Sequence, residues 1–296
     1  MIPGDLLKRV RQIELATRRK VTSRFSGGYL STFRGQGMEF DEVREYQPGD
    51  DVRAIDWNVT ARTGHPYIKR FVTEREMAVV LVVDVSASLD FGSGERTKRA
   101  LTTELCTLLA FLALGNQDRV GLVLASDRVE RYIQPGKGRK HLYRVIRELF
   151  YHEPEGRGTD LAAAVEFGAR IAPRHSTLFV VSDFLLPGGA RSLESAVSKA
   201  ALRHDAIAVS IGDPREDALP PVGLLEAEDP ETGETVVVDT LDRRFREQFE
   251  SSAREAREAY ERMFARYGVD HVPIRTGVSY MEPLMRFFRA RARRLR

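Results

Sequence analysis

Asp84, Ser86 and Ser88 stand as D-x-S-x-S directly after the apolar run Met77–Val83. The run is short, continuous and rich in β-branched residues, so it reads as a buried parallel strand. The three polar residues then lie at the strand's C-terminal end, where open α/β sheets bind ligands. One carboxylate and two hydroxyls are hard oxygen donors of the kind that hold Mg²⁺. Two more positions belong to the same rim. Asp183 closes the strand-like run Leu178–Ser182, and Thr159 sits in Gly156-Arg-Gly-Thr-Asp-Leu161, a loop just before a helix. Together Asp84, Ser86, Ser88, Thr159 and Asp183 offer five oxygen-bearing side chains from three loops. Mg²⁺ takes six oxygens and keeps several waters among them. Only two of the five are charged, so the ion would stay electropositive and its open position would attract a carboxylate from elsewhere.

The elements that must position this set follow from the periodicity of residues 77–296. Strand 77–84 precedes helix 97–114, which ends at Gly115-Asn116. Strands 120–125 and 129–133 form an antiparallel hairpin across Ser126-Asp-Arg128. Helices 139–150 and 160–171 flank the loop Tyr151–Thr159. Strand 177–183, helix 190–203 and strand 206–211 follow. Residues 213–240 hold an inserted β-hairpin, turning at Asp229-Pro-Glu-Thr-Gly233. Helix 241–267, strand 269–275 and helix 280–294 close the chain. Alternating strands and helices predict an α/β fold: a doubly wound, mainly parallel sheet with one antiparallel edge strand. Residues 1–76 are expected to form a separate N-terminal segment docked on this domain. It opens with a helix over residues 6–20, followed by a glycine-rich stretch over residues 26–37.

Other chemistries find little support. Cys106 is the single cysteine, which excludes an internal disulfide and a thiolate zinc cluster. Its leucine-rich surroundings predict a small core residue. The six histidines are scattered with no H-E-x-x-H, and no G-x-S-x-G elbow is present. Gly136-Lys-Gly-Arg-Lys140 and Phe91-Gly-Ser-Gly-Glu95 both fail the P-loop pattern. The second reads as a loop that lets the rim approach a partner, with Phe91 on it. Asp160 suits an outer position of the metal set and equally the start of a helix. A metal-dependent hydrolase is the alternative from another class, but no recognised general base or nucleophile accompanies the metal set.

The formal net charge is +3. It is unevenly spread: residues 1–24 and residues 280–296 each carry +5, leaving the middle at −7. Basic ends on an acidic body suit an anionic partner, nucleic acid or lipid, or ends packed against the body. Met281, Leu284, Met285 and Phe288 share one helical face, which favours a packed terminal helix with a solvated arginine face. No apolar run reaches the length of a transmembrane helix, and the N-terminus carries no signal-like apolar stretch. The expected location is the cytoplasm.

The strand order, D-x-S-x-S, Gly-Thr-Asp and Ser-Asp resemble the von Willebrand factor A-type domain and its metal-ion-dependent adhesion site. That resemblance implies that Ser86 and Ser88 ligate Mg²⁺ directly, with Mn²⁺ or Ca²⁺ as substitutes. Asp84 and Asp183 would act directly or through water, and Thr159 would change its engagement when a partner's Asp or Glu arrives. Residues 33–62, with Lys69 and Glu74-Arg-Glu76, are similar to the bacterial domain-of-unknown-function family numbered fifty-eight. Members are commonly encoded beside MoxR-type AAA+ ATPases, which implies a non-catalytic adaptor working with such an ATPase in maturation or assembly of other proteins. Within this segment Asp50, Asp51, Arg53, Asp56 and Arg62 surround Trp57. The charge density predicts an ion-pair network docking the segment, with a partner surface at Trp57 and Arg62 as the other reading.

Overall fold

The computed structural model describes residues 37–47, 50–52, 55–74 and 77–294. The helix expected over residues 6–20, Arg53 and nearly all of the glycine-rich stretch lie outside them. In the N-terminal segment β1 (Gly37–Glu45) pairs antiparallel with β2 (Tyr67–Glu74). Between them lies α1 (Trp57–Thr63), capped by Asp56, whose carboxylate accepts the Asn58 and Val59 N–H groups. Gly64, at φ 79°, ends the helix in the left-handed conformation that glycine adopts without a Cβ clash.

The main sheet contains β3 (Ala78–Asp84), β4 (Arg119–Ala125), β5 (Val129–Gly136), β6 (Thr177–Ser182), β7 (Asp205–Gly212) and β10 (Asp270–Arg275). Its order is β10-β7-β6-β3-β4-β5. Every neighbour pair is parallel except β4–β5. This is the doubly wound sheet with one antiparallel edge that the sequence predicts.

The connecting helices are α2 (Lys98–Gly115), α3 (Gly138–Tyr151), α4 (Leu161–Ile171), α5 (Gly189–Arg203), the one-turn α6 (Pro214–Asp217), α7 (Arg243–Arg266) and α8 (Met281–Arg294). Every residue of β3 is buried, and its side chains alternate between two cores. Val79, Leu81 and Val83 face α2, α3 and α8 through Leu105, Leu109, Leu142 and Phe288. Val80 and Val82 face α4, α5 and α7 through Val165, Leu193 and Phe264. Each fully buried Val or Leu contributes about 1.5–3 kcal/mol of transfer free energy, so the central strand is held from both sides. Cys106 lies wholly inside the first core, where burial pushes its thiol pKa up.

The C-terminal helix behaves as its pattern predicts. Leu284, Phe287 and Phe288 are buried. Arg291 is engaged by Asp205 and by Asp270 at 2.9 Å, and Arg294 pairs with Asp270 at 2.9 Å. Part of the basic end is therefore neutralised by the body of the domain. Among the described residues no helix is long and apolar enough to cross a membrane.

The inserted hairpin is β8 (Leu224–Glu228) and β9 (Thr235–Asp239), which among the described residues pair only with each other. Before it, Asp213 joins three parts of the chain. Its carboxylate accepts the Ser93 N–H and hydroxyl at 2.9 and 2.6 Å, the Arg215 N–H at 2.9 Å and the Thr276 hydroxyl at 2.5 Å. The loop read as letting the rim approach a partner is anchored at Ser93, because a buried carboxylate collects donors. Burial raises the Asp213 pKa, but Ser93, Thr276 and Arg215 outweigh it and hold the group at about 2. A folded pKa below the ordinary 3.8 stabilises the fold above pH 4, and that contribution fades as pH falls toward 2. Asp213→Ala is expected to lower unfolding free energy by about 1–3 kcal/mol at pH 7. Urea melts should show the gap to wild type narrowing below pH 4.

Candidate metal centre

The sheet's winding reverses beside β3. The chain leaves β3 for β4 and β5, then returns to β6 on the other side of β3 and continues outward to β7 and β10. The two directions of winding leave a crevice outside the C-terminal ends of β3 and β6. Asp84 is the last residue of β3, and Asp183 directly follows β6.

Asp84 is 1% exposed. Its Oδ1 accepts the Ser86 N–H at 2.9 Å, and its Oδ2 accepts the Ser182 hydroxyl at 2.7 Å. Ser86 and Ser88 are buried, with their Oγ atoms 3.1 Å apart. Ser88 donates to Asp183 Oδ2 at 2.7 Å. Four of the five expected residues therefore form one continuous set of oxygens. Thr159 approaches on a separately braced loop. The Ala87 N–H bonds the Arg157 carbonyl at 3.1 Å, and the Asp160 N–H bonds the Ser126 carbonyl at 2.8 Å. Glu130 accepts the Gly156 N–H at 2.9 Å and pairs with His152 at 2.6 Å. A Cβ on Gly156 would meet Asp127 Oδ1 at 2.3 Å and Ser126 Oγ at 2.4 Å, so a larger residue would have to push these side chains aside. The Thr159 hydroxyl donates to Glu231 Oε1 at 2.6 Å. Glu231 comes from the turn of the inserted hairpin.

Two carboxylates in a desolvated crevice repel each other. Burial and the charge of Asp183 push the Asp84 pKa up to about 6, against the donors Ser182 and Ser86. One compensating charge is already built in. Lys98, fully buried at the start of α2, donates to Asp183 Oδ2 at 2.7 Å and to Glu216 on α6. Burial pulls the Lys98 pKa down, but Asp183 and Glu216 outweigh it and keep the ammonium charged. Burial pushes Glu216 up, and it does the same to Glu231, with the charge of Asp183 adding to the rise in both.

The donor set is all oxygen, hydroxyls as well as carboxylates, which suits Mg²⁺ better than a soft metal. Among the described residues no trio of His, Cys, Asp or Glu gathers at ligand spacing. A metal at this rim would therefore rest on Ser86, Ser88 and Thr159 as much as on Asp84 and Asp183.

The remaining expected residues fall differently. Asp160 is exposed and caps α4 through the Ala163 N–H at 2.9 Å, so its carboxylate serves the helix. Phe91 is 43% exposed at the rim, its ring centroid 6.0 Å from Lys98 Nζ. Trp57 is 70% exposed and Arg62 is exposed. The charges there are used locally: Asp56 caps α1, and Asp50 takes Arg44 at 2.7 and 2.9 Å. Sequence reading missed Lys98, Glu130, Glu216 and Glu231. Of these only Glu231 carried a signal, its place in a proline-glycine turn. Lys98→Met leaves Asp183 and Glu216 buried without their cation. It is expected to cost about 3–5 kcal/mol of stability, measured by chemical denaturation.

Known proteins resemble this chain in sequence and in fold. An uncharacterised protein of Mycobacterium bovis and one of Mycobacterium tuberculosis are each 34% identical to it, over 99% of this chain and 93% of theirs. An aerotolerance-related membrane protein from Bacteroides fragilis superposes with a TM-score of 0.51 at 16% identity, over 74% of this chain and 99% of that one. At that identity the likeness is one of fold. The von Willebrand factor A domain of SpRpn10 aligns at 11% identity and a TM-score of 0.42, over 71% of this chain and 93% of that one. Residues 42–259 match the family described as "Protein of unknown function DUF58", and the chain belongs to that family.

Proposed function

We propose that this protein is a non-catalytic, Mg²⁺-dependent protein–protein interaction module whose rim captures an acidic side chain of its partner. The observation that carries this reading is the continuous set Asp84–Ser86–Ser88–Asp183 at the crevice of the sheet. Ser86 and Ser88 would hold the ion directly. Asp183 already accepts Lys98 and Ser88 on Oδ2 and the Leu185 N–H on Oδ1, so it would act through water. Thr159 completes the set from the facing loop. Bound Mg²⁺ would supply an electropositive position open to a carboxylate. The partner we propose, following the family resemblance, is a MoxR-type AAA+ ATPase or a client of that ATPase, with the cytoplasm as the place of action.

Two measurements test this. Calorimetry should show Mg²⁺ binding to wild type and its loss in Asp84→Ala and Ser88→Ala, with circular dichroism unchanged. A pull-down from extract of the source cells, with Mg²⁺ or with EDTA, should retain an AAA+ ATPase only on wild type with Mg²⁺. Identical proteins on wild type and Asp84→Ala under both conditions would remove the rim from binding.

A further inference from the structure

The rim already holds a carboxylate from outside its own loops, and that carboxylate belongs to this chain. Glu231 Oε1 sits 2.6 Å from the Thr159 hydroxyl, 72 residues away in sequence. Its segment is built to present it. The Gly233 N–H bonds the Asp229 carbonyl at 2.7 Å, and the Asp229 N–H bonds the Glu234 carbonyl at 2.8 Å. The Asp229 carboxylate takes the Glu231 N–H at 2.9 Å, and Gly233 supplies a φ of 74°. Glu231 thus stands at the tip of a closed turn. Among the described residues the strands behind it pair only with each other, and both are largely exposed. The tip is firm, while the arm that carries it is outside the main sheet.

Charge makes this placement informative. Asp84, Asp183 and Glu216 against Lys98 leave the rim with two formal negative charges. Glu231 raises that to three. A carboxylate brought to such a rim is repelled unless a further cation lies there, because like charges interact strongly where water is scarce. A divalent ion on the hydroxyl and carboxylate set would reverse the sign of the interaction. The rim loop leaves room for the visiting group: a Cβ built on Gly158 would lie 3.9 Å from Glu231 Oε2, within ordinary contact.

We infer that Glu231 is the rim's internal ligand: the inserted hairpin seats its tip carboxylate where a partner's acidic residue would engage. This inference rests on the metal-rim reading above. The ligand class it names is a glutamate displayed on a tight turn, here Asp229-Pro-Glu-Thr-Gly233. A partner must displace the tip, so the hairpin sets the threshold for engagement. The tip and the metal also support one another, since each makes the other's binding more favourable.

The test uses the full chain, wild type and Glu231→Gln, with Mn²⁺ as a spectroscopic probe. Electron paramagnetic resonance should show Mn²⁺ bound by both, about 10-fold more weakly by the variant, within the usual range of coupling between two ligands. A labelled peptide spanning residues 228–234 is then titrated into each protein with Mn²⁺, followed by anisotropy. The variant, with no internal carboxylate competing for the rim, should bind the peptide about 10-fold more tightly than wild type, as expected where the rim is open in about one molecule in ten of wild type. EDTA should abolish that binding, and a peptide with Gln in place of Glu231 should show none. If neither protein takes up Mn²⁺, the metal-rim reading itself fails. If both take it up with equal affinity and equal peptide binding, the metal reading stands and the internal ligand is overturned.

Discussion

Two carboxylates brought together in a crevice with little water set the terms for this protein. The reversal of winding beside β3 places Asp84 and Asp183 at adjoining strand ends. Hydroxyls and backbone N–H groups satisfy their lone pairs but do not remove the repulsion. Charge must come from elsewhere, and the fold supplies one unit permanently through Lys98. The rim is left short of positive charge by an amount that a divalent ion matches. The elements around it act as bracing: Asp213 pins the loop at Ser93, Glu130 holds the turn that carries Thr159, and Glu216 steadies Lys98 from the far side.

Lys98 deserves its place in this account for a further reason. A fully buried ammonium is tolerated only with close partners, so its presence ties α2, the loop after β6 and α6 into one electrostatic unit. That unit gives the rim a fixed geometry before any ligand arrives. Preorganisation of this kind reduces what a ligand must spend on ordering side chains. The same logic explains why the braced loop at residues 156–159 contains Gly156. Its backbone lies so near the Asp127 and Ser126 side chains that any Cβ would displace them.

Much of this was readable in the chain. The runs Met77–Val83 and Leu178–Ser182 announced buried strands because they are short, apolar and β-branched. The D-x-S-x-S and Asp183 positions followed from where those strands must end, and Thr159 from the start of the helix after it. The amphipathic face of Met281, Leu284 and Phe288 announced the packed terminal helix. What was hidden depends on tertiary approach. Lys98 lies at the first turn of a helix, where a lysine ordinarily points to water, and nothing local distinguishes it. Glu216 and Glu130 are likewise ordinary until their partners come near. At Trp57 the charges alone left two readings open, a docking network and a partner surface; Asp56 caps α1 and the indole stands exposed at the helix start.

The inserted hairpin shows how far local reading can go and where it stops. Asp229-Pro-Glu-Thr-Gly233 declares a turn through its proline, its glycine and a side chain that bonds its own backbone. Its destination is not a local property. The turn becomes meaningful only because α6 and the segment from Ala218 to Gly223 carry the arm from the end of β7, on the same edge of the sheet as Asp84 and Asp183, back toward Thr159. An insertion rooted anywhere on the opposite edge would present the same glutamate to solvent. Position on the sheet, more than the sequence of the turn, makes Glu231 a resident of the rim. An acidic residue there meets burial and the charge of Asp183, which raise its pKa, and the Thr159 hydroxyl is the donor that holds it in place.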